Sequence, residues 1–96
     1  MAVSTLQKDL LIRTITAPSH TVAGGSTNQQ SIDCSYSGYT PIGLLMFDTS
    51  VDGSSQNQLN LYTWGFGGNY LVVGYKNLIT SQVTVRPKVT ILYIKN

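Results

Sequence analysis

The sequence contains no glutamate, one cysteine and one histidine among its 96 residues. Charged residues make up only 10% of the chain, against about 25% in ordinary soluble domains. A single cysteine excludes an internal disulfide, and one cysteine with one histidine cannot complete a zinc site within one chain. A chain without glutamate also lacks a residue that helices favour. We therefore predict a non-enzymatic protein with no catalytic residues, no cofactor and no metal.

Targeting segments and large charge imbalance are also missing. The first nine residues do not place an apolar run after a basic region, so they do not resemble a signal peptide. No apolar stretch approaches the roughly 20 residues that a membrane helix needs. The net charge of +2 is too small to indicate nucleic-acid binding. We expect a protein made in a cytoplasm that neither inserts into a membrane nor binds nucleic acid.

Uncharged polar residues are abundant in the chain. Serine, threonine, asparagine and glutamine together supply 33 residues, and hydrophobic residues make up 42% of the chain. Such hydroxyls and amides suit solvent-facing strands and direct hydrogen bonding to neutral ligands such as sugars. The length allows one domain. We assign residues 1–9 to an N-terminal arm and residues 10–96 to that domain.

Turn signals recur at short spacing, and the segments between them are rich in strand-forming residues. The predicted strands run over residues 10–16, 20–23, 28–36, 42–49, 57–64, 70–76 and 83–95. Short strands punctuated in this way are typical of a sandwich or barrel. The sequence therefore predicts an all-β fold, a small antiparallel β-sandwich or jelly-roll-like domain.

The last predicted strand is the clearest. Valine, isoleucine and tyrosine alternate with polar residues from residue 83 onward, until Leu92 and Ile94 make both faces apolar near the end. A strand that is apolar on both faces is covered on both sides. In so small a domain the second cover can be another subunit, so we predict a homo-oligomer, with a trimer favoured, whose interface contains Leu92 and Ile94. Pro87 interrupts the strand and implies an edge, a bulge or a corner.

Two weak chemical motifs have ordinary explanations. His20 has no nucleophile motif around it, and we interpret it as an exposed strand or turn residue. The segment Asp48–Gly53 matches the first half of a calcium loop, but Leu59 stands where calcium needs a bidentate glutamate. A polar hairpin turn explains that segment better. Cys34 alternates with Ile32 and Tyr36, which predicts a buried thiol.

An aromatic run supplies the best candidates for ligand binding: Tyr62, Trp64 and Phe66, with Asn69 beside them. The three rings share a parity opposite to Leu59 and Leu61, so they face outward if the leucines face the core. Exposed rings can stack on sugar faces or pack against a second subunit. The alternative is a register shift at Gly65 that turns the rings into the core.

Two stretches carry a resemblance to a family. The segment Ser37-Gly38-Tyr39-Thr40-Pro41-Ile42-Gly43-Leu44-Leu45 and the ending Val83-Thr84-Val85-Arg86-Pro87-Lys88-Val89-Thr90-Ile91-Leu92-Tyr93-Ile94-Lys95-Asn96 resemble the C-terminal domains of phage and prophage tail fibre proteins. The resemblance covers most of residues 10–96. It implies a sandwich or jelly-roll head, usually trimeric, that contacts the bacterial envelope. It implies no particular binding residues.

The expected function follows from composition and resemblance together. We predict a phage virion protein, a receptor-binding head of a tail fibre that attaches to a host surface glycan or protein and contacts other virion proteins. One alternative is a purely structural virion component, such as a capsid decoration or fibre-attachment subunit. The other is a bacterial carbohydrate-binding module.

Overall fold

The computed structural model describes residues 9–49 and 59–96, which form eight strands and no helix. The strands are β1 (Leu10–Thr16), β2 (His20–Val22), β3 (Thr27–Asp33), β4 (Tyr39–Asp48), β5 (Leu59–Gly67), β6 (Tyr70–Asn77), β7 (Val83–Val85) and β8 (Lys88–Lys95). The predicted all-β class is confirmed. The polar hairpin turn predicted at Asp48–Gly53 lies mostly outside the described residues, as does most of the N-terminal arm.

The strands pair in three antiparallel sheets. Sheet I has the order β1-β8-β4, sheet II has the order β3-β6-β5, and a small two-stranded sheet joins β2 to β7. The pairings β1–β8, β2–β7 and β3–β6 are nested one inside the other along the chain. Because β8 also pairs with β4 and β6 with β5, the two larger sheets contain three strands each. The chain is a small β-sandwich, and the jelly-roll description stays a prediction.

The core lies between the central strands of the two larger sheets. Strand β8 contributes Val89, Ile91 and Tyr93, and β6 contributes Leu71, Val73 and Tyr75, all of them fully buried. Each triplet occupies alternate positions, because alternate residues of a strand point to the same face. Both sheets therefore turn one apolar face inward, which leaves each of them one outer face.

A proline lies between β7 and β8, where the ribbon that they form with β1 and β2 passes from one sheet to another. Pro87 has no N–H for a ladder, and it is buried. Its carbonyl still accepts a 2.7 Å hydrogen bond from the backbone N–H of Ala17, on the partner strand of the ribbon. The predicted strand of residues 83–95 is therefore two strands that belong to different sheets.

Buried polar side chains fix the loops to this frame. The Asn77 amide is fully buried and donates to the carbonyls of Val22 at 3.1 Å and Ser81 at 2.8 Å. The Tyr75 hydroxyl donates to the Gln30 amide oxygen at 2.9 Å and accepts from the Asn28 amide nitrogen at 2.9 Å. Buried polar groups that are satisfied in this way favour one arrangement of the loops over others.

Candidate functional site

A β-bulge divides the predicted aromatic run. The register of β5 against β6 shifts between Leu61 and Thr63, so Tyr62 is the extra residue. Beyond the bulge, Trp64 pairs with Val73 and Phe66 with Leu71. Because cross-strand partners share a face and Val73 and Leu71 face the core, Trp64 and Phe66 lie on the inward face of sheet II.

The prediction that all three rings face outward is therefore wrong for Trp64 and Phe66. The shift occurs at Tyr62, three residues earlier than the alternative placed it, because an inserted residue reverses the alternation of every residue after it. Phe66 packs against the core, and the Trp64 ring meets the Phe66 ring edge-on at 6.0 Å. Trp64 nevertheless remains 46% exposed, since β5 is an edge strand.

Tyr62 alone of the three lies on the outer face of sheet II. A side-chain carbon built on Gly74 would meet the Tyr62 ring at 3.0 Å and the Thr63 methyl at 2.8 Å. Gly74 pairs with Gln29 on one side and Thr63 on the other, so these residues share the outer face. The Tyr62 ring therefore covers the glycine, and half of the ring remains exposed.

The outer face of sheet II is mainly polar. By strand register it carries Thr27, Gln29, Ser31 and Asp33 on β3, Tyr70, Val72, Gly74 and Lys76 on β6, and Asn60, Thr63, Gly65 and Gly67 on β5. The backbone N–H of Ser35 donates to Asp33 Oδ1 at 2.9 Å, which lowers the pKa of that carboxyl. Lys76 and Asp33 stand at opposite ends, and the rows between them are uncharged.

A shallow groove of about 330 Å³ opens on this sheet. Its lining residues are Gln29, Thr63, Trp64, Gly65, Phe66, Gly67 and Val72. None of them is charged, and the amide of Gln29 and the hydroxyl of Thr63 belong to exposed residues. The lining thus combines the hydrogen-bonding side chains of Gln29 and Thr63 with a floor without side chains at the two glycines, whereas the Trp64 and Phe66 rings lie on the other face of β5.

Asn69, the fourth predicted binding residue, lies in the tight turn between β5 and β6. Gly68 takes a positive φ of 62° there, a conformation that glycine adopts without strain. The Asn69 carbonyl accepts a 2.9 Å hydrogen bond from the backbone N–H of Cys34, and Asn69 itself is exposed. Asn69 does not line the groove. Its role in binding stays a prediction.

The outer face of sheet I has the opposite character. An apolar patch covers one end of it and consists of Leu10, Ile12, Ile42, Leu45, Met46, Leu92 and Ile94. Leu92 lies at the centre, paired with Ile12 on one side and with Gly43 on the other. Ile12 is 60%, Met46 55% and Leu45 52% exposed.

Leu92 and Ile94, the predicted interface residues, are only half-buried by their own subunit. They lie on the face opposite Tyr93 and Ile91, and their cross-strand neighbours Ile12 and Leu10 are apolar as well. The last strand is therefore apolar on both faces, and the second face has no cover from the described residues. That a second subunit covers it stays a prediction.

Two bulges in β4 enlarge the apolar patch. Register shifts lie between Pro41 and Gly43 and between Leu44 and Met46, so Ile42 and Leu45 are extra residues without a partner on β8. Both side chains are about half exposed. The continuous apolar run from Ile42 to Phe47 gave no clear alternation, so the sequence carried no signal for their exposure.

The groups capable of proton transfer are scattered. His20 is half-buried in β2, whereas Cys34 is fully buried. Burial raises the pKa of the Cys34 thiol. Within residues 9–49 and 59–96 no cluster of three or more histidine, cysteine, aspartate or glutamate side chains is placed to hold a metal ion. The same residues include no helix able to cross a membrane.

Sequence reasoning missed most of the residues that form these two surfaces. Gln29, Val72 and Gly67 line the groove, and Ile12 and Met46 lie in the apolar patch. The alternating glycines of β5 were the available signal for the groove. For the patch, the signal was the apolar pairing of β1 with β8, which requires the register. The chain matches no family model, no curated protein and no solved structure.

Proposed function

We propose that the chain is a non-enzymatic phage virion protein, a receptor-binding head of a tail fibre that self-associates through the outer face of sheet I. The apolar patch is the observation that carries the proposal. It spans all three strands of the sheet, and Leu92 lies at its centre. The resemblance of Ser37–Leu45 and Val83–Asn96 to tail fibre domains supports the virion assignment.

The apolar patch is large enough to be a contact surface for a second copy of this chain. Its five exposed side chains amount to on the order of 500 Å², within the roughly 300–600 Å² of the largest, often functional, patch on monomeric proteins. A standard interface buries about 800 Å² per partner. The apolar patch with a polar rim from Thr14, Thr40 and Thr90 approaches that area. We propose a homo-oligomer, with a trimer favoured.

The polar outer face of sheet II supports the second half of the proposal, contact with a host surface. If sheet I is turned toward other subunits, the outer face of sheet II remains in solvent. Its central rows carry amides, hydroxyls and a tyrosine ring but no charge. A bacterial surface glycan or protein is the proposed partner. A structural virion subunit would use the same apolar patch without host contact.

Solution mass tests the assembly directly. Light scattering at micromolar concentration should give a monodisperse oligomer for the wild-type chain. Ile12→Lys, on exposed edge strand β1, should shift the mass toward the monomer. Ser31→Lys is the matched control, because Ser31 is exposed on edge strand β3 and lies on the outer face of the other sheet. A monomeric wild-type chain would remove the proposal.

Attachment to bacteria separates the receptor-binding role from a purely structural one. A fluorescently labelled wild-type oligomer should bind the surface of host cells saturably, whereas a capsid decoration or fibre-attachment subunit should not. An oligomer that binds no bacterial surface across a broad strain panel would leave the structural role as the better account.

A further inference from the structure

We propose that the groove on the outer face of sheet II is a binding site for a neutral saccharide, held open by Gly65 and Gly67. This inference rests on the proposed function, because it names the ligand class and the residues of host recognition. It differs from the aromatic platform predicted from the sequence, which required three rings on one outward face. Here the site is the groove on the outer face, bounded by Gln29, Thr63 and Val72.

Neither glycine is explained by the fold. Glycine inside a strand weakens it, by roughly 0.5–1 kcal/mol relative to alanine. Backbone conformation does not require glycine at residues 65 and 67, since the positive-φ glycines among the described residues are Gly25, Gly38 and Gly68. Close packing does not require glycine there either, because a side-chain carbon built at Gly65 or Gly67 meets nothing within 4 Å.

Gly74, on the neighbouring strand, shows the contrast. A side chain there would collide with the Tyr62 ring and the Thr63 methyl, so close packing accounts for that glycine. At Gly65 and Gly67 the same outward direction is empty. Glycine in a strand often marks a position where a ligand or another backbone approaches closely. The two glycines therefore keep the groove free for a ligand.

The lining selects the class of ligand. The groove of about 330 Å³ lies at the low end of the roughly 300–1,000 Å³ range of small-molecule sites. Sugar hydroxyls need both donors and acceptors, which the Gln29 amide and the Thr63 hydroxyl provide. The side chain of Val72 and the bare backbone at Gly65 and Gly67 add apolar surface for the carbon face of a sugar ring. The uncharged lining gives an anionic ligand no partner, so a neutral saccharide fits best.

A second depression, of about 420 Å³, does not offer comparable chemistry. It lies over the loops around Asn77 and is lined largely by glycine, threonine and aliphatic residues beside Lys76. The Asn77 amide is already bound to the carbonyls of Val22, Ala23 and Ser81. The other polar side chains there are Lys76 and Thr80, and the lysine charge does not match a neutral ligand as the Gln29 amide and the Thr63 hydroxyl do.

A side chain that fills the groove tests the proposal, because it should maintain or raise stability while it weakens saccharide binding. Gly65→Val places a β-branched side chain in open space within a strand, so its melting temperature should equal or exceed that of the wild type. Its affinity for neutral saccharides should fall at least tenfold. Thr21→Val is the control, because it also places an exposed valine in a strand, on β2 away from the groove, and it should bind as the wild type does.

The probe is an array that displays neutral oligosaccharides beside sialylated and sulfated ones. The wild-type chain should bind members of the neutral set, and Gln29→Leu, which keeps the shape of the wall but removes its amide, should weaken that binding severalfold. If Gly65→Val fails to fold, Gln29→Leu decides the question alone. Unchanged binding by a folded Gly65→Val or by Gln29→Leu would overturn the inference.

Two further results would also overturn it: a wild-type chain that binds only anionic glycans, and one that binds no glycan at all. These failures are distinguishable from failure of the proposed function. If the wild-type oligomer attaches to bacterial cells but does not bind neutral saccharides, the proposed function stands and the saccharide site in the groove is contradicted. If the wild-type chain is a monomer that attaches to no cells, both proposals are contradicted.

Discussion

The outer faces of the two three-stranded sheets differ far more than their inner faces do. Inside, β8 and β6 each supply two aliphatic side chains and one tyrosine to the core. Outside, sheet I presents the apolar patch around Leu92, whereas the central rows of sheet II present amides, hydroxyls and glycines around Val72. Burial in the core explains why both inner faces are apolar. Core packing places no such requirement on the outer faces, so their difference points to interactions beyond the single chain.

The largest expected effect comes from breaking the apolar patch at its centre. Leu92→Asp places a charge among apolar partners, so we expect it to weaken self-association by about 3 kcal/mol, more than a hundredfold, at the fully desolvated middle of an interface. Sedimentation should show the loss at concentrations where Ile12→Lys still associates in part.

Val72→Asp is the counterpart on sheet II, at a half-buried position on the outer face of the central strand. It should leave the oligomer intact. If both variants dissociate, or neither does, the contrast between the outer faces does not govern assembly.

A second prediction compares the buried tyrosines of the two central strands. Tyr75→Phe removes a hydroxyl that bonds the amides of Asn28 and Gln30, and Gln30 is buried. Leaving buried polar groups unsatisfied should cost about 1–3 kcal/mol of unfolding free energy.

Tyr93→Phe should cost about 1 kcal/mol. Its hydroxyl donates to the Cys34 carbonyl at 2.7 Å, and its second contact, with the Arg13 guanidinium, is long at 3.3 Å. Urea unfolding of both variants measures the difference. A larger loss for Tyr93→Phe would show that the sheet I tyrosine matters more to the fold.

Trp64→Ala tests the rim of sheet II. The loss of the edge-on contact with Phe66 should cost about 1 kcal/mol of stability and leave the chain folded. Attachment to host cells should weaken severalfold, because the half-exposed Trp64 ring lies on edge strand β5, next to Gly65 of the groove. Circular dichroism and cell binding on one sample separate the two effects. An unfolded variant would show that Trp64 is a core residue, and a folded one with unchanged attachment would exclude it from the receptor site.

The smallest expected effect is a loss of stability at alkaline pH. Burial raises the pKa of Cys34 above its ordinary 9.0, and of Tyr75 and Tyr93 above their ordinary 10.0. The unfolded chain therefore ionises first, so the contribution of these groups is complete below about pH 9 and declines as the pH rises through the folded-state pKa values.

Urea midpoints at pH 8 and pH 10.5 measure that decline. It should shrink in Tyr75→Phe, where one of the three groups is gone. A midpoint that does not change with pH would show that burial does not perturb these groups.

Much of the fold could be predicted from the chain alone. The alternation from Val83 onward predicted strand structure over residues 83–95, which contain β7 and β8, and put Tyr93 and Leu92 on opposite faces, because strand periodicity is a local property of the backbone. Pro87 signalled the break between them, because it cannot donate to a ladder. Cys34 was predicted to be buried from its alternation with Ile32, and it is.

The candidate site was predicted less well, and the reason is the register. The parity of Trp64 and Phe66 was counted from Leu59 and Leu61, which is valid only in an uninterrupted strand. One extra residue at Tyr62 reverses that count. Whether a strand bulges depends on what the partner strand presents opposite it, and here Gly74 leaves room for the Tyr62 ring.

The sequence by itself therefore determined the β class, the approximate positions of most strands and the second apolar face around Leu92 and Ile94. Each of these follows from local periodicity or from composition. Only the tertiary structure decided which faces meet: that Ile12 extends the apolar patch, and that Gln29 stands near Gly65 across β6. Those neighbours are far apart along the chain, and hydrogen-bonded pairing between distant strands is what brings them together.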